Sequence, residues 1–568
     1  MALTGGQLLA LALAEARTTE VFTLHGGHLD SFLSACAERG IRLTDTRHEG
    51  TAGFAADAYA RMTGRPGICV VTSGPGFTNV YSAIVNAYLD AIPVLFIIGA
   101  PPLREQETNP LQGGFDQIGA AAPVTKWAHR VTSPERIPEL VALALRHALS
   151  GKPGPVLLEI PIDVMVRPTD ATVRIPEFPN DIPRPAASAS SIGAAMDLLA
   201  SAERPIIVTG GGAMLSRCSA ELRRFAELAG VPVFTPNKGD GLLPASHRLW
   251  AGGAGPLASL PVSAQPPDVV FLLGCRAGMF TGGRNGVLSK ASIIQVDVDY
   301  GEMGRLDDVA VPVVADCRAA LQALIGAVEG RTLPNFSDWA ERVVAGRRSH
   351  QKLFSDNATA SGRLHPYFAA REIMAALPPR TIAVLDGGEA PAWAGFFLNA
   401  EEPNSVLRLG YLGCLGVGQG FSIGAARAEP DRPVLLLTGD GSAAFHLAEF
   451  DTMVRHGLPI VTVVFNNAVW GMSIHGQQAV YGADTSIVST LQDSSYEQVC
   501  AAFGGYADRV EKLDDIAPAI ERAFTAAKPV CINVAVDPNI VHPLTTSMLG
   551  DLTATDEIVV PYYENIPL

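Results

Sequence analysis

The stretch Leu435-Leu436-Leu437-Thr438-Gly439-Asp440-Gly441-Ser442 is an apolar run that ends in a glycine-rich turn. A helical pattern follows through Ala448 to Val454, and a second apolar run, Ile460 to Phe465, ends in Asn466-Asn467. Continuous rather than alternating apolar runs predict parallel strands with helices on both faces of the sheet. Asp440 and Asn467 then follow consecutive strands, at the carboxyl edge where open α/β sheets bind ligands.

The residue types at this predicted edge indicate a phosphorylated ligand and a cation. A carboxylate, an amide oxygen and a nearby backbone carbonyl suit Mg²⁺, with ligand phosphate oxygens completing its shell. Gly441 and Ser442 open a helix whose free N–H groups can hold a phosphate. Either motif alone would be an ordinary turn or strand terminator, but a strand, Gly-Asp-Gly, helix, strand and Asn-Asn in succession favour a binding site.

The same alternation of short apolar runs and helical patterns recurs along most of the chain. Further apolar runs lie at 67–72, 93–98, 205–208, 269–273, 293–296 and 381–385. Two segments, 166–188 and 330–365, interrupt the pattern and have the Pro-, Asp-, Thr- and Asn-containing composition of linkers. The sequence therefore predicts an α/β protein with three doubly wound parallel-sheet domains, at 1–170, 188–330 and 360–545, and a tail at 546–568.

The composition excludes several other classes of protein. With 568 residues, 48% of them hydrophobic and 17% charged, the chain is too apolar to be disordered. The formal net charge of −15 disfavours general binding to nucleic acids or anionic membranes. No run reaches the roughly 18 apolar residues of a membrane helix. The first residues lack the positive charge of a signal peptide, and the eight cysteines are scattered, so we expect a cytoplasmic protein with free thiols.

The pair of motifs in the last third resembles the diphosphate-binding motif of the thiamine diphosphate (ThDP) enzymes. This resemblance implies ThDP and Mg²⁺ as cofactors, with Mg²⁺ bound by Asp440, Asn467 and the carbonyl of Val469. Other positions that the resemblance assigns to cofactor binding are Gly439, Gly441, Ser442, Gly471 and Met472. A competing dinucleotide-binding interpretation of 413–418 is weak, because its glycines stand in the wrong order.

The first third of the chain supplies the other half of such a site. Glu49 stands just before an alanine-rich helical pattern, where ThDP enzymes have a glutamate that binds the aminopyrimidine ring. The resemblance implies that its proton promotes the imino tautomer, whose nitrogen takes the C2 proton of the cofactor. Gly74 lies in Ser73-Gly74-Pro75-Gly76, which matches a turn of the family. The alternative for Glu49 is a helix N-terminal charge stabilised by the helix dipole.

Within the family, the middle of the chain resembles the acetolactate synthase-like branch, through 204–212 and 230–234. The segment 276–283 departs from the run typical of members that bind FAD, so we expect no FAD. The active-site segments look closest to the benzaldehyde lyases, which cleave and form 2-hydroxy ketones. The matching segments are 24–30, 45–49, 107–109, 111–112, 125–130, 410–413, 416–418, 466–467, 470–471, 475 and 477–478.

The resemblance also assigns roles around the substrate. His28 is expected to carry protons to and from the substrate oxygen, Gln112 to hydrogen-bond that oxygen, and Leu415 to hold ThDP bent between its rings. The alternatives are a histidine satisfied within the core, a surface glutamine and ordinary core packing. Leu409, Met472 and Ile162 depart from the benzaldehyde lyases, which have histidine, alanine and tryptophan there, so we expect a reshaped substrate pocket.

Other functions remain open at this point. A 2-hydroxyacyl-CoA lyase needs basic residues for nucleotide phosphates, to which Arg284 and the tail could contribute. An acetolactate synthase-like enzyme that decarboxylates 2-keto acids is another alternative, whereas Glu49 argues against a binding protein without catalysis. The two cofactor motifs lie in different thirds and must meet across a domain or a subunit boundary, and the sequence does not choose between these. The resemblance implies a homodimer or homotetramer with sites between subunits. The roles of His446, Glu449 and His475, near the motif ends, stay undecided.

Overall fold

The computed structural model describes residues 2–105, 108, 110–170, 172–178, 182–283, 286–347, 353–549, 552, 557–559 and 566–567. Three six-stranded parallel sheets form within them, which confirms the predicted class of three parallel-sheet α/β domains. Glu107, Asn109, Arg284 and most of the tail at 546–568 lie outside the described residues. In the part of the chain that is described, no helix combines the length and apolar character needed to cross a bilayer.

The first third of the chain folds around one of these sheets. Its elements are β1 (Leu3–Thr4), α1 (Gly5–Glu15), β2 (Glu20–Thr23), α2 (Asp30–Glu38), β3 (Arg42–Asp45), α3 (Glu49–Thr63), β4 (Gly67–Val71), α4 (Pro75–Asp90), β5 (Val94–Ala100), α5 (Gln117–Ala121), β6 (Trp127–Arg130), α6 (Ile137–Leu149), β7 (Val156–Pro161), α7 (Ile162–Val166) and β8 (Pro168–Thr169). The strand order is β3-β2-β4-β5-β7-β6, and β1 pairs separately with β8. Ile68 and Val70 of β4 join one apolar cluster while Cys69 and Val71 join another on the opposite face. Burial on both faces explains why the strand is apolar throughout.

The middle third forms the second sheet. Its elements are α8 (Ala189–Ala200), β9 (Pro205–Thr209), α9 (Gly211–Leu215), α10 (Ser219–Ala229), β10 (Val233–Phe234), β11 (Trp250–Gly252), α11 (Ala254–Ser263), β12 (Val269–Leu273), β13 (Ser292–Asp297), β14 (Val309–Val314), α12 (Cys317–Glu329) and α13 (Ser337–Gly346). The strand order β11-β10-β9-β12-β13-β14 is that of dinucleotide-binding folds. Successive strands are added toward one side of the sheet from β9 and toward the other side from β12, so a crevice is expected at the carboxyl ends of these two strands.

Helix α13 lies inside the segment 330–365, which the sequence composition had indicated as a linker. Its Trp339 is buried against the middle sheet, and the indole N–H donates to the Pro205 carbonyl at 2.9 Å. Ala340 and Val343 are buried beside it. The linker interpretation was wrong for this part of the segment. It rested on Pro334 and overlooked the apolar side chains that follow, which form one buried helical face.

The last third forms the third sheet. Its elements are α14 (Pro366–Ala375), β15 (Ile382–Asp386), α15 (Glu389–Gly395), β16 (Val406–Arg408), α16 (Val417–Ala428), β17 (Val434–Gly439), α17 (Asp440–Ala443), α18 (Glu449–Arg455), β18 (Val461–Asn466), α19 (Gly471–Tyr481), α20 (Tyr496–Ala502), β19 (Tyr506–Val510), α21 (Ile516–Thr525), β20 (Val530–Ala535), α22 (Pro543–Ser547), β21 (Glu557–Ile558) and β22 (Ile566–Pro567). The order β16-β15-β17-β18-β20-β19 repeats, strand for strand, the order of the first sheet. This repetition supports descent of the two terminal domains from one duplicated unit.

Helices α3 and α16 join the two terminal domains. A Cβ on Gly424 would lie 2.2 Å from the carbonyl oxygen of Ala55, so only glycine permits this approach of the two backbones. Gly420 likewise leaves room for Phe54, whose ring meets Phe421 edge-on at 6.3 Å between centroids. Helix α3 begins at Glu49 and α16 follows the turn that holds Leu415, so the packing of the two helices fixes where these residues lie.

Candidate active site

His28 lies at the carboxyl edge of the first sheet, in a 3-10 turn at Gly27–Leu29 after β2. Its Nδ1 atom is 3.2 Å from the Thr72 hydroxyl, at the end of β4. Burial lowers the pKa of His28 below its ordinary value of 6.5, which favours the neutral ring at pH 7. A neutral imidazole can accept a proton from a hydroxyl group.

Gln112 is held against the Ser73-Gly74 turn that follows β4. The Ser73 hydroxyl donates to the Gln112 carbonyl, and a Cβ on Gly74 would lie 2.9 Å from the Gln112 Cα atom. Gly74 has φ of +63°, a conformation that other residues adopt only with strain. His28, Gln112 and Gly74 therefore share one edge of the first sheet.

The side chain of Gln117, a residue that the sequence analysis missed, fixes the turn at Gly74 through a hydrogen bond. The Gln117 side chain accepts from the Gly74 N–H at 3.0 Å and donates to the Gly99 carbonyl at 3.1 Å. It also donates to the buried Glu159 carboxylate at 2.8 Å. Gln117 stands five positions after Gln112, but nothing in that spacing indicates the contact with Gly74.

Glu49 is the first residue of α3 and is largely buried. The Asn79 side chain, on α4, donates to its Oε2 atom at 2.9 Å. His48 caps the helix, because its Nδ1 atom accepts from the Gly50 N–H at 3.0 Å. These bonds hold the carboxyl group at the same sheet edge as the turn of Gly74, from which α4 starts.

Asp440 and Asn467 lie at the carboxyl ends of the adjacent strands β17 and β18. The Asp440 carboxylate is 2% exposed and accepts from the N–H groups of Gly441, at 2.9 Å, and Ala468, at 2.8 Å. Burial raises the pKa of Asp440 to about 6, which is a cost that a bound cation would remove. The Asn467 side-chain oxygen accepts from the Val469 N–H at 3.2 Å.

This donor set fits Mg²⁺ and a diphosphate. It offers a carboxylate, an amide oxygen and the carbonyl of a turn, beside Gly439 and the N–H groups that begin α17. Among the described residues, no group of three His, Cys, Asp or Glu side chains has metal-binding geometry. A cation here would therefore depend on amide, carbonyl and phosphate oxygens, which is the shell that Mg²⁺ prefers.

The turn that carries Leu415 is fixed by two buried side chains. Asp386, at the end of β15, accepts from the Gly416 N–H at 3.3 Å and the Gly418 N–H at 3.0 Å. Ser442 accepts from the same Gly416 N–H at 3.0 Å. Burial raises the pKa of Asp386 to about 6 although these N–H groups oppose it. Asp386 was missed from the sequence, where only its Asp-Gly-Gly turn after an apolar run could have indicated it.

Met472 lies beside this edge, at the start of α19. A Cβ on Gly388 would lie 3.2 Å from the Met472 Cβ, and a Cβ on Gly471 would lie 2.9 Å from Glu389 Oε2. The other Glu389 oxygen accepts from His475 Nδ1 at 2.9 Å. Burial lowers the pKa of His475, but the bond to Glu389 and its charge outweigh burial and leave it raised. Glu389 is a second buried carboxylate that the sequence analysis missed.

Segments near the two sheet edges contact each other within the chain. The ring of His446 lies 5.1 Å from that of His48, centroid to centroid, and Glu449 accepts from the Arg47 N–H. The segment that follows Asp440 therefore touches the residues that precede Glu49.

A separate cavity of about 860 Å³ lies between the first and middle domains. The Gly210–Gly212 turn after β9 forms one wall, at the crevice expected from the strand order. Basic residues on its lining include Arg146, Lys152, Arg184, Arg217, Lys238 and Arg276. The Lys238 ammonium and the Arg276 guanidinium lie 4.3 and 4.2 Å from the ring centre of Tyr411. Leu409 also lines the cavity, a few residues before Leu415.

Three parallel-sheet domains with such a cradle define the architecture of ThDP enzymes, and comparison with known proteins agrees. The chain matches the thiamine pyrophosphate enzyme N-terminal TPP binding domain over residues 3–120, the central domain over 192–324 and the C-terminal TPP binding domain over 386–534. Thiamine pyrophosphate is another name for ThDP. The chain belongs to this family and is a ThDP-dependent enzyme.

Curated relatives extend over nearly the whole chain. The acetolactate synthase large subunit IlvG of Mycobacterium tuberculosis is 32% identical over 96% of this chain and 97% of its own length. The 2-hydroxyacyl-CoA lyase 2 of Homo sapiens is 31% identical over 94% of this chain and 90% of its own. The 2-hydroxyacyl-CoA lyase of Arabidopsis thaliana is 31% identical over 94% and 96%, respectively. The first of these relatives agrees with the expected acetolactate synthase-like branch, and the other two carry the name of the 2-hydroxyacyl-CoA lyase alternative.

Proposed function

We propose that the protein is a ThDP- and Mg²⁺-dependent lyase and carboligase that cleaves or forms the C–C bond of 2-hydroxy ketones, with aldehydes as the simple partners. The observation that supports this most directly is the joint placement of His28 and Gln112 at the Ser73-Gly74 turn. A neutral imidazole and a side-chain amide carried on adjoining segments can together bind one substrate oxygen and exchange its proton.

The residues divide the work as follows. Asp440, Asn467 and the carbonyl of Val469 would hold Mg²⁺ and, with the start of α17, the diphosphate. ThDP, when bound, supplies a carbanion that adds to a carbonyl and accepts the electron pair of the bond that breaks. Gln112 donates a hydrogen bond to the substrate oxygen. His28 takes the proton of the substrate hydroxyl as the C–C bond breaks and returns it in the reverse direction.

In this proposal, Glu49 holds the proton whose transfer activates the cofactor. The change Glu49→Gln keeps the shape of the side chain and its bond from Asn79, but removes the acid. We expect turnover to fall by at least about 10²-fold, because positioned acid–base groups contribute 10²- to 10⁴-fold. Binding of Mg²⁺ and ThDP, followed by calorimetry, should change little. Glu38→Gln, at an exposed position of α2, is the control, and activity retained by Glu49→Gln would contradict this mechanism.

The second candidate is a 2-hydroxyacyl-CoA lyase. The cavity beside Tyr411 favours it, because several of its lining side chains are basic and a CoA nucleotide carries several phosphates. Two of the relatives described above are named as 2-hydroxyacyl-CoA lyases. Under this alternative the chemistry of Glu49, His28 and Gln112 is unchanged. Only the substrate group that the protein binds away from the reacting C–C bond differs, because it is then a CoA thioester.

Product analysis distinguishes these candidates. The purified protein, with ThDP and Mg²⁺, is given aldehydes, 2-keto acids and 2-hydroxyacyl thioesters, and the products are identified by mass spectrometry. Formation and cleavage of 2-hydroxy ketones from aldehydes supports the main proposal, whereas formyl-CoA release assigns the second. Acetolactate from pyruvate as the main product would contradict both, and a flavin retained on purification would assign the cavity to a different ligand.

We also propose that two copies of the chain complete the active site, in a homodimer or homotetramer. Leu111, Leu412 and Phe445 are 75%, 37% and 57% exposed, close in sequence to Gln112, Leu415 and Asp440, respectively. Large apolar side chains exposed beside functional residues are typical of surfaces that another subunit covers.

A further inference from the structure

The turn Arg47-His48 sets the position of Glu49. It connects β3 to α3, and His48 has an extended backbone before the helix begins. The Thr46 hydroxyl donates to the His48 carbonyl at 2.8 Å, which closes the turn on one side. The Arg47 N–H points the other way, out of the first domain, and needs a partner there because buried N–H groups are costly when unpaired.

That partner is Glu449, the first residue of α18 in the last domain. Both of its carboxylate oxygens lie 3.1 Å from the Arg47 nitrogen, across 402 residues of sequence. The Thr452 hydroxyl donates to Oε2 at 2.6 Å. Glu449 is 0% exposed, so its charge is held in the interface between the two domains by neutral N–H and O–H donors.

Burying the Glu449 carboxyl group between the domains costs free energy, so its presence there needs a physical explanation. Burial raises the pKa of Glu449, while the bonds from Thr452 and the Arg47 N–H oppose the rise. The guanidinium of Arg47 contributes little, since it lies 3.8 Å from Asp451 on the exposed side of α18. An apolar residue would be cheaper to bury, but it could not orient the Arg47 peptide.

The segment 440–449, which ends at Glu449, begins at the proposed cation site. Asp440 starts α17, His446 follows it and lies against His48, and Glu449 ends the segment on Arg47. The segment 440–449 therefore spans from the proposed diphosphate cradle to the turn before Glu49, with the buried Glu449 as its last hydrogen-bonding group.

We propose that Glu449 is a positioning residue for Glu49: by gripping the Arg47 peptide it fixes the first turn of α3 and so the place of the Glu49 carboxyl group. The proposal rests on the role of Glu49 in the proposed function. It concerns a residue whose part in the protein the sequence could not decide, and it gives the contact between the two terminal domains a task in catalysis.

The test uses the full-length protein and Glu449→Gln, which keeps the side-chain shape and one oxygen that can accept from the Arg47 N–H, but replaces the second accepting oxygen by an N–H₂ group, which cannot accept. In the apo protein, hydrogen–deuterium exchange of the peptide covering 46–52 should accelerate by about tenfold or more, without a matching change in the other domains. With ThDP and Mg²⁺, kcat should fall about 10- to 100-fold, the range for residues that orient a functional group. ThDP affinity should stay within about threefold.

Two further variants keep the outcome interpretable. Thr452→Val removes one hydrogen-bond donor to the Glu449 carboxylate. It should change hydrogen exchange and kcat in the same direction as Glu449→Gln but by a smaller factor, so it tests the proposal even if Glu449→Gln folds poorly. Glu521→Gln, at an exposed position of α21 in the same domain, should leave both unchanged. Unchanged exchange at 46–52, or a loss of ThDP affinity as large as the loss of kcat, would overturn the proposal. If Glu49→Gln itself keeps full turnover, the proposed function fails instead, whatever the exchange shows.

Discussion

At the scale of single residues, His28 connects burial with a measurable pH dependence. Burial places its pKa below 6.5, so the ring is neutral at pH 7 and gains its proton only as the pH falls further. Only the neutral ring can take the proton of a substrate hydroxyl. We therefore expect kcat/KM to fall on the acid side with an apparent pKa below 6.5, and His28→Ala to lose about 10²-fold in rate together with that acid limb.

The neighbouring His25 supplies the control for this prediction. It lies two residues before the turn that holds His28 but is exposed, and its Nε2 atom is 2.8 Å from Asp30. His25→Ala should leave both the rate and the pH profile unchanged. An acid limb that persists in His28→Ala, or lies above 6.5, would mean that another group carries the proton.

At the scale of elements, the Ser73-Gly74 turn between β4 and α4 connects backbone conformation with the substrate pocket. Gly74 needs φ of +63°, and a methyl group there would collide with the backbone of Gln112. We expect Gly74→Ala to cost about 1–3 kcal/mol of unfolding free energy. It should also raise the KM for substrate, because Gln112 must move. Urea unfolding and steady-state kinetics on one preparation measure both effects.

Gly193, in α8 of the middle domain, is the matched control. A Cβ there meets nothing within 4 Å, and its φ lies outside the left-handed region. Gly193→Ala should therefore stabilise the protein by about 0.4–1 kcal/mol without changing KM. A Gly74→Ala variant that kept the wild-type KM would show that Gln112 does not depend on the turn.

What the sequence could predict was local in character. The buried strands β15, β17 and β18 are continuous apolar runs, and Asp440 and Asn467 follow two of them directly, so the sheet and its edge could be placed from periodicity. Helix α13 was missed because Pro334 and Asn335 at its start outweighed the apolar face that follows. The contacts of Gln117 with Gly74 and of Glu449 with Arg47 could not be found, since they depend on how distant segments pack.

At the scale of the whole molecule, the two halves of the proposed site, around Glu49 and around Asp440, lie on different domains. Within one chain, helices α3 and α16 pack these two domains together. The exposed Leu111, Leu412 and Phe445 indicate that a second copy covers the same region. If each site takes Glu49 from one subunit and Asp440 from its partner, two inactive variants can restore a working site between them.

We therefore predict that Glu49→Gln and Asp440→Ala, each inactive alone, regain activity when their subunits are exchanged by mild unfolding and refolding together. Half of the dimers formed from an equal mixture are hybrids, and each hybrid has one intact site of two, so about a quarter of the wild-type activity should return. Each variant refolded alone is the control. Light scattering of the mixture must show dimers or tetramers. If the mixture forms such oligomers and stays inactive, Glu49 and Asp440 act on one cofactor within a single chain, and the subunit interface has no part in the site.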